Sequence, residues 1–227
     1  MEGKPQDWFV NEATDLGNTI ANIPSRLQHW DATKYLPQNA TYFNKFDSSK
    51  PTALEVIDPG CIVCQHLFQN IKQAGFENKY NLTYIPYPIK NPDIPGKYKF
   101  ANSYVVTTYL EAIQINPLAN QKNPADWQIL ERIYTWSDSS GMSYQNKINL
   151  MLDASQTKDL ILGWLKNIGY SPTQLKQIET DANSQKVANI INQNQDIVNN
   201  KIKTVKIPTI IFNGQLHSGL VNVGDLH

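Results

Sequence analysis

Within the first 50 residues, apolar side chains recur at a helical spacing up to residue 30, and residues 31–50 lack that pattern. Between residues 7 and 30 the apolar positions recur at alternating steps of four and three, which predicts an amphipathic helix. Pro24 either interrupts this helix or opens a second, short one as its first residue. The helix either packs on the main domain, with a period of about 3.6 residues, or pairs with a second copy as a coiled coil, with a period of about 3.5. About three heptads are too few to distinguish these two periods. Residues 31–50 predict a loop or a short edge strand around Tyr42–Phe43. The apolar positions are Phe9, Ala13, Leu16, Ile20, Ile23, Leu27 and Trp30.

A strand, a helix and a second strand are predicted next. The apolar run at 52–57 is typical of a buried strand, and Asp58-Pro59-Gly60 ends it. A helix is predicted from Cys61 to about Tyr80. Residues 82–89 predict a second strand with prolines near its end. This order forms a βαβ unit with parallel strands.

A long helical region follows the second strand. Asn123 and Ser171 each stand before a proline as candidate N-caps, and Gly169 suits the position after a helix end. The predicted helices cover residues 97–115, 124–138, 143–153, 157–168 and 172–200, the last broken near Asp181.

The end of the chain predicts a β-hairpin. Apolar runs at 208–212 and 216–223 flank Asn213-Gly214. Asn-Gly between such runs is the strongest short-range hairpin signal, because both residues tolerate the backbone that a tight turn requires.

Composition and charge narrow the classes of function. The chain has 227 residues, and its 41% hydrophobic content, with 5 Trp, 11 Tyr and 7 Phe, suffices for a substantial core. Its net charge is zero, and only Arg26 and Arg132 are arginines, so nucleic acid is not expected as a partner. Apolar runs stay shorter than the roughly 18 residues of a transmembrane helix. The first seven residues lack the order of a signal peptide, which fits a cytoplasmic protein or one whose signal peptide has been removed.

The chain has only two cysteines, Cys61 and Cys64, and they form a C-x-x-C pair. A zinc site needs more ligands, and the histidines show no helpful spacing. Backbone N–H groups at a helix start favour the thiolate of Cys61, which is the nucleophilic form. Cys64 lies one turn later, within reach of the same sulfur. We therefore predict Cys61 as an exposed attacking thiol and Cys64 as a buried resolving thiol. An incidental disulfide or half of a metal site is the alternative.

Two segments carry a family resemblance. Glu55–Cys64 together with Ile207–Gly214 resemble the thioredoxin-fold disulfide oxidoreductases, and the helical region before Pro208 is most similar to the DsbA-like family. The resemblance covers about residues 50–223. It implies an α/β thioredoxin fold with an inserted α-helical subdomain, here with an N-terminal helical extension. The expected segments are the extension 1–50, the βαβ half 51–92, the helical subdomain 93–202 and the second thioredoxin half 203–227.

The same resemblance implies catalytic roles. Cys61 would be the nucleophile, Cys64 the resolving thiol and Pro208 a cis-proline facing the disulfide. Glu55, six residues before Cys61, matches a buried acid of the family. It is either a proton acceptor for Cys64 or a charge at a strand edge. No metal or organic cofactor is implied.

The resemblance also implies how a substrate binds. The backbone of Ile207 would pair with an extended substrate segment as an added strand, and Ile62 and Val63 would contact substrate beside the cysteines. The strongly oxidising relatives carry a histidine between the cysteines, whereas Ile62 and Val63 offer no charge. We therefore expect a less depressed pKa for Cys61 and a weaker oxidant. Gly60 stands where many relatives carry an aromatic residue, so the resemblance leaves substrate contact at this position open.

The C-terminal end departs from the family pattern. The fold usually ends in a helix after the last strand, but only Gly224–His227 follow the predicted hairpin. Either the chain is truncated here or another element, such as the N-terminal helix, covers that face of the sheet.

The sequence therefore predicts an extracytoplasmic thiol-disulfide oxidoreductase that forms, reduces or isomerises disulfides through a Cys61 mixed disulfide. Its implied partners are cysteine-containing protein substrates and a membrane redox partner that recycles the pair. One alternative is a dimeric DsbC/DsbG-like isomerase or chaperone, with the homodimer formed through residues 7–30. Another is a redox-inert thioredoxin-fold binding module in a secretion or conjugation assembly. The periplasm, or another oxidising compartment, is the expected location.

Overall fold

The computed structural model describes residues 29–119, 121, 123–204 and 206–226. Its four strands form one mixed sheet in the order β2-β1-β3-β4. β1 and β2 are parallel, and β3 is antiparallel to both β1 and β4. The sheet confirms the predicted βαβ unit and C-terminal hairpin. The strands are β1 (Thr52–Ile57), β2 (Asn81–Pro86), β3 (Thr209–Phe212) and β4 (Gln215–Ser218).

One helix connects β1 to β2, and six lie between β2 and β3 in the part of the chain described. This is a thioredoxin fold with an inserted α-helical subdomain, as predicted. None of the described helices is long and apolar enough to cross a membrane. The helices are α1 (Ile62–Ala74), α2 (Ser103–Ile115), α3 (Ala125–Thr135), α4 (Tyr144–Leu150), α5 (Ala154–Ile168), α6 (Pro172–Ala182) and α7 (Gln185–Asp196).

The two faces of the sheet bury different parts of the chain, because successive strand residues point to opposite sides. Ala53 and Ile57 of β1 face the large core that contains α1 and the inserted helices. Leu54 and Val56 face a smaller core on the other side. That smaller core is completed by Trp30, Ala32, Ile85, Val198, Ile202 and Ile211.

Helix α1 is shorter than predicted. It ends at Ala74 rather than near Tyr80, because Gly75 adopts a left-handed backbone (φ 60°) and its N–H bonds back to the carbonyls of Ile71 and Lys72. Left-handed glycine is a common helix terminator, since other residues pay a steric penalty there. The chain then makes a short 3₁₀ turn, Phe76–Asn78, before β2 begins.

The segment after β2 also differs from the prediction. β2 ends at Pro86, and residues 89–99 fold into a small hairpin, with a bridge between Lys90 and Tyr98. The Lys99 N–H donates to the Ile89 carbonyl at 2.8 Å. Because residues 97–99 take part in this pairing, α2 begins at Ser103 rather than at 97.

Side-chain caps set several helix starts in the insertion. Asp153 and Gln156 form a capping box, so α5 begins at 154 rather than 157. Ser171 caps α6 in the same way, as predicted. Asn123 does not cap α3, because Pro124 itself occupies the N-cap position.

The predicted helix 172–200 is three elements in the structure. The break near Asp181 is confirmed: α6 ends at Ala182, and the side chain of Ser184 caps the start of α7. A π-helical turn, Ile197–Ile202, continues α7. Its residues Val198 and Ile202 seal the smaller core.

The two ends of the described chain pack against the rest of the fold. Of the helix predicted over residues 7–30, residues 7–28 lie outside the described residues, and Trp30 packs into the smaller core without helical structure. Residues 29–50 form no strand, and their only helical segment is the 3₁₀ turn Ala32–Tyr35. At the other end, Val221 and Leu226 join the large core, and Asn70 of α1 donates to the Val221 carbonyl at 2.8 Å. The last described residues therefore pack beside α1 without a C-terminal α-helix.

Candidate active site

Cys61 occupies the N-cap position of α1 with an extended backbone (φ −81°, ψ 120°). The Cys64 thiol donates a hydrogen bond to the Cys61 sulfur, and the backbone N–H groups of Cys64 and Val63 also stabilise it. Together with the positive charge of Lys99, and against the cost of burial, these groups lower the pKa of Cys61 to about 6. Cys61 is therefore mostly a thiolate at neutral pH.

Cys64 is the opposite kind of thiol. Its side chain is completely buried, and that burial, followed by its interaction with Cys61, raises its pKa well above the ordinary thiol value. The backbone N–H of Asp58 lies 3.5 Å from its sulfur. A protonated thiol beside a thiolate is the arrangement that separates a resolving cysteine from an attacking one.

The sequence predicted an exposed Cys61, and this is wrong. Only 6% of the residue is accessible, because its sulfur lies beneath the Ile207 carbonyl at 4.0 Å. Ile62 is the exposed residue of the pair that separates the cysteines, at 45%, whereas Val63 is partly buried. Cys61 is therefore almost closed to solvent, and Ile62 is the exposed apolar side chain next to it in the sequence.

Ile207 lies next to Cys61 although the two are distant in sequence. The peptide bond between Ile207 and Pro208 is cis, as the resemblance implied. Pro208 precedes β3, which pairs with β1. β1 leads directly into the segment Asp58–Cys61, here called the cysteine loop. This pairing explains why the Ile207 carbonyl meets Cys61.

Glu55 lies on β1, opposite Tyr84 of β2 and Ile210 of β3. It points to the same side of the sheet as Ala53 and Ile57, which is the side that holds α1 and its cysteines. Its side chain is buried, and Oε1 has no hydrogen-bond partner. Burial raises the pKa of Glu55 to about 8. Of the two interpretations, a strand-edge charge does not fit, since β1 is a central strand.

Asp58 is a site residue that the sequence analysis treated only as a strand terminator. Its carboxylate accepts hydrogen bonds from the N–H of Gly60 at 2.8 Å, the N–H of Ile89 at 2.7 Å and the hydroxyl of Ser103 at 3.2 Å. Burial raises the pKa of Asp58 to about 7, although these hydrogen bonds oppose the rise. A carboxylate three residues before the first cysteine was the available signal.

Helix α4 contributes two further residues that the sequence analysis missed. Gln145 donates to the carbonyls of Pro59 and Cys61, both at 3.0 Å, and Asn149 donates to the carbonyl of Gly60 at 2.8 Å. Residues four apart lie on the same helix face, so the two amides reach consecutive carbonyls of the cysteine loop. No sequence motif marks this pair.

Gly60 is enclosed by the insertion. A Cβ atom at this position would lie 2.5 Å from Phe100 Cβ and 2.9 Å from Asn149 Oδ1. Only glycine fits without displacing these neighbours. The space beside this position is filled by Phe100, which comes from the segment after the 89–99 hairpin.

The fold and the paired cysteines define a thioredoxin-fold protein of DsbA-like architecture. No protein-family model matches the sequence, and no curated protein matches it. Solved structures of the same architecture do match, and their likeness extends over most of both chains.

One such structure is a thioredoxin-like oxidoreductase from Silicibacter pomeroyi DSS-3, with 15% identity, coverage of 85% of this chain and 90% of that one, and a TM-score of 0.55. Proteus mirabilis ScsC in a transitional conformation has 12% identity, coverage of 96% and 85%, and a TM-score of 0.55. The thiol-disulfide exchange protein α-DsbA2 from Wolbachia pipientis has 18% identity, coverage of 81% and 82%, and a TM-score of 0.50. At these identities the comparisons show the shared fold.

Proposed function

We propose that this protein is a thiol-disulfide oxidoreductase acting by dithiol–disulfide exchange. The observation that carries this proposal is the contrast between the two thiols. Cys61 has a lowered pKa at a helix N-terminus under the Ile207 carbonyl, and Cys64 has a raised pKa one turn inside. A cysteine pair with a purely structural role does not require one thiol with a lowered pKa and one with a raised pKa.

In the reducing direction, the Cys61 thiolate attacks one sulfur of a substrate disulfide. A mixed disulfide forms, and the other substrate sulfur leaves as a thiolate. Cys64 then loses its proton and attacks the Cys61 sulfur. The products are a Cys61–Cys64 disulfide and a second substrate thiolate, so two electrons pass to the substrate. The oxidising direction is the reverse of these steps.

We assign to Glu55 the role of accepting the Cys64 proton during the second step. Its carboxyl lies on the α1 side of the central strand and titrates near neutral pH, which suits a group that both takes and returns a proton. The unpartnered Oε1 supports this role, because it leaves an acceptor free inside the core.

Substrate binding is proposed at the Ile207 backbone, where an extended segment would pair as an added strand. Ile62 would pack against that segment, since it is the large exposed apolar side chain next to Cys61. Val63 is partly buried, so only its exposed part would contact the substrate. The substrates would be cysteine-containing proteins.

An extracytoplasmic location and a membrane redox partner that recycles the pair belong to the same proposal. The resemblance of Glu55–Cys64 and Ile207–Gly214 to a family that works in oxidising compartments supports them. The cysteine content agrees, because both cysteines belong to the site and none is left to mispair in an oxidising compartment.

A trapping experiment tests the exchange mechanism. Cys64→Ser should accumulate a mixed disulfide between Cys61 and a disulfide-containing protein such as oxidised, partly unfolded ribonuclease, because the resolving thiol is gone. Cys61→Ser should trap nothing, since the buried Cys64 has no access to substrate. Equal trapping by both variants, or none by either, would contradict the proposal.

The equilibrium of the pair with glutathione decides the direction. A potential near −120 mV is typical of a protein that introduces disulfides, and one near −270 mV of a reductase. A pair that does not equilibrate with glutathione would favour the redox-inert binding module instead.

A further inference from the structure

Asp58 connects three separate parts of the site through one buried carboxylate. Oδ1 accepts from the Gly60 N–H, directly before Cys61, while Oδ2 accepts from the Ile89 N–H and the Ser103 hydroxyl. These donors belong to the cysteine loop, the 89–99 hairpin and the start of α2. Loss of the carboxylate would therefore release the cysteine loop from both neighbours.

The backbone of Asp58 is also bound to the redox pair. Its N–H lies 3.5 Å from the Cys64 sulfur, and its carbonyl accepts from the Cys61 N–H at 2.9 Å and from the Tyr134 hydroxyl at 3.1 Å. Asp58 thus contacts both cysteines through its main chain. Its side chain holds the cysteine loop, which joins β1 to Cys61.

The charge of this carboxylate has no basic partner among its hydrogen-bond donors, which are two backbone amides and a hydroxyl. A thiolate at Cys61 places a second negative charge in the same buried region, and each charge disfavours the other. Reduction of the disulfide creates that thiolate, so reduction should drive a proton onto the carboxylate.

From this geometry, and on the basis of the proposed function, we propose that Asp58 is a positioning residue of the redox site that also binds a proton when the disulfide is reduced. Two molecules of a thiol reductant such as glutathione supply two electrons to the Cys61–Cys64 disulfide, form a disulfide with each other and release two protons. Cys64 takes up one proton, Cys61 remains a thiolate, and Asp58 takes up a second proton. Oxidation releases both.

Several titratable or charged groups surround this carboxylate and enter its pH dependence. Burial is the main reason that the pKa of Asp58 is raised to about 7, and the Cys61 charge adds to it. Ser103 on α2 and Gln145 on α4 are neutral. The titratable groups that interact with it are Cys61 and Cys64 at the start of α1 and Tyr134 on α3. Glu55 on β1 interacts with Tyr134, and Lys99 on the hairpin interacts with Cys61.

The first test substitutes Asp58→Asn, which removes the charge and keeps one acceptor oxygen. The pKa of Cys61, followed by thiolate absorbance, should fall by about half a unit or more, since a neighbouring negative charge is gone. The glutathione equilibrium at neutral pH should shift about threefold or more toward the dithiol. An unchanged or raised pKa of Cys61 would overturn the proposal and leave Asp58 a purely structural residue.

The matched control is Asp126→Asn. Asp126 is equally buried and has a raised pKa, but it accepts from Tyr84 and Gln114 in the neighbourhood of the inserted helices. It should leave the pKa of Cys61 unchanged. An equal effect of both substitutions would mean that general loosening, not the Asp58 charge, moves the thiol.

A measurement on the unmodified chain covers the case in which the variant does not fold. Carbon-13 labelling of aspartate carboxyls allows the titration of Asp58 to be followed in the disulfide and dithiol forms, prepared with chemical oxidant and reductant. Its midpoint should lie higher in the dithiol form. Identical midpoints would overturn the proposal even if exchange activity is present, whereas a shifted midpoint without exchange activity would count against the proposed function alone.

Discussion

The thiolate of Cys61 is stabilised by groups from its own helix and by one lysine from the 89–99 hairpin. Ile62 and Val63 carry no charge, and the sequence therefore predicted a pKa less depressed than in strong oxidants. The value of about 6 lies well above the roughly 3.5 of the strongly oxidising DsbA. The stabilisation comes from the Cys64 thiol, from backbone amides and from Lys99, which are independent of the side chains at 62 and 63.

Substitution of Lys99→Met should raise the pKa of Cys61 by about 0.2–0.7 of a unit, because an exposed charge pair contributes about 0.2–1 kcal/mol. The measurement is thiolate absorbance against pH at low salt, and the difference should shrink in high salt. Lys97→Met, on the same exposed hairpin, is the control and should change nothing. A fall in the pKa of Cys61 on removing Lys99 would be inconsistent with this account.

Substitution of Glu55→Gln should slow the resolution of the mixed disulfide by about 100-fold, a typical contribution of general acid–base catalysis. The amide fills the same space but takes no proton from Cys64. Rapid-quench analysis of the mixed-disulfide lifetime measures this step, while the initial attack by Cys61 should keep its rate. Equal slowing of both steps would point to a structural effect.

At the scale of elements, the insertion holds the cysteine loop in place. α4 supplies two amides to three consecutive carbonyls, α2 supplies the Ser103 hydroxyl, and Phe100 packs on Gly60. The helical subdomain thus contributes directly to the candidate active site. Among the described residues, it shares one continuous core with the thioredoxin half.

Substitution of Gly60→Ala should destabilise the protein by about 1–3 kcal/mol, because the new methyl group overlaps the Phe100 side chain and Asn149. Urea unfolding measures the change. In the Phe100→Gly background the same substitution should cost less, since the Cβ and ring carbon nearest to the new methyl group are gone, and a double-mutant cycle isolates this coupling. Additive effects would show that the two positions do not meet.

At the scale of the whole molecule, several carboxyl groups are buried without a basic partner among their hydrogen bonds. Burial raises the pKa of Glu55 and of Glu111 to about 8 and that of Asp58 to about 7. Burial also raises the pKa of Asp126. The folded protein is more stable when each of these carboxyl groups is protonated, because burial disfavours the charged form.

The free energy of unfolding should therefore fall as the pH rises from about 5 to 8. A folded-state pKa above the unfolded value gives stability that is complete below the unfolded pKa and is lost progressively until the pH has passed the folded-state pKa, here about 7 to 8. The expected loss is about 2 kcal/mol or more in the disulfide form, in which Cys61 does not titrate.

Urea denaturation at the two pH values measures this loss, and Glu55→Gln should reduce it, because one of the titrating groups is removed. A stability that is constant or increases over this range would contradict the assignment of these carboxyls as buried and unpaired.

Local features of the sequence were sufficient for the elements around the cysteines. Each of these features depends on residues that are close together in the sequence, so the sequence shows it directly. They are the apolar run of β1, the turn residues after it, the Asn213-Gly214 hairpin and the caps at Ser171 and Gly169. Element ends were predicted less well. α1 stops at Gly75 and α2 starts at Ser103 because of a single left-handed glycine and a hairpin pairing that compete with helical periodicity.

The sequence by itself determined the thioredoxin-type order of elements, the two thiols and their place at a helix start. Only the tertiary structure decided what surrounds them. Lys99, Gln145 and Asn149 carry no motif, because each acts through a hydrogen bond or charge that exists only once distant segments have packed together. The position of Asp58 before Cys61 was visible in the sequence, but its bonds to Ile89 and Ser103 were not. The burial of Cys61 has the same origin, since the Ile207 carbonyl that covers it arrives from the far end of the chain through β3.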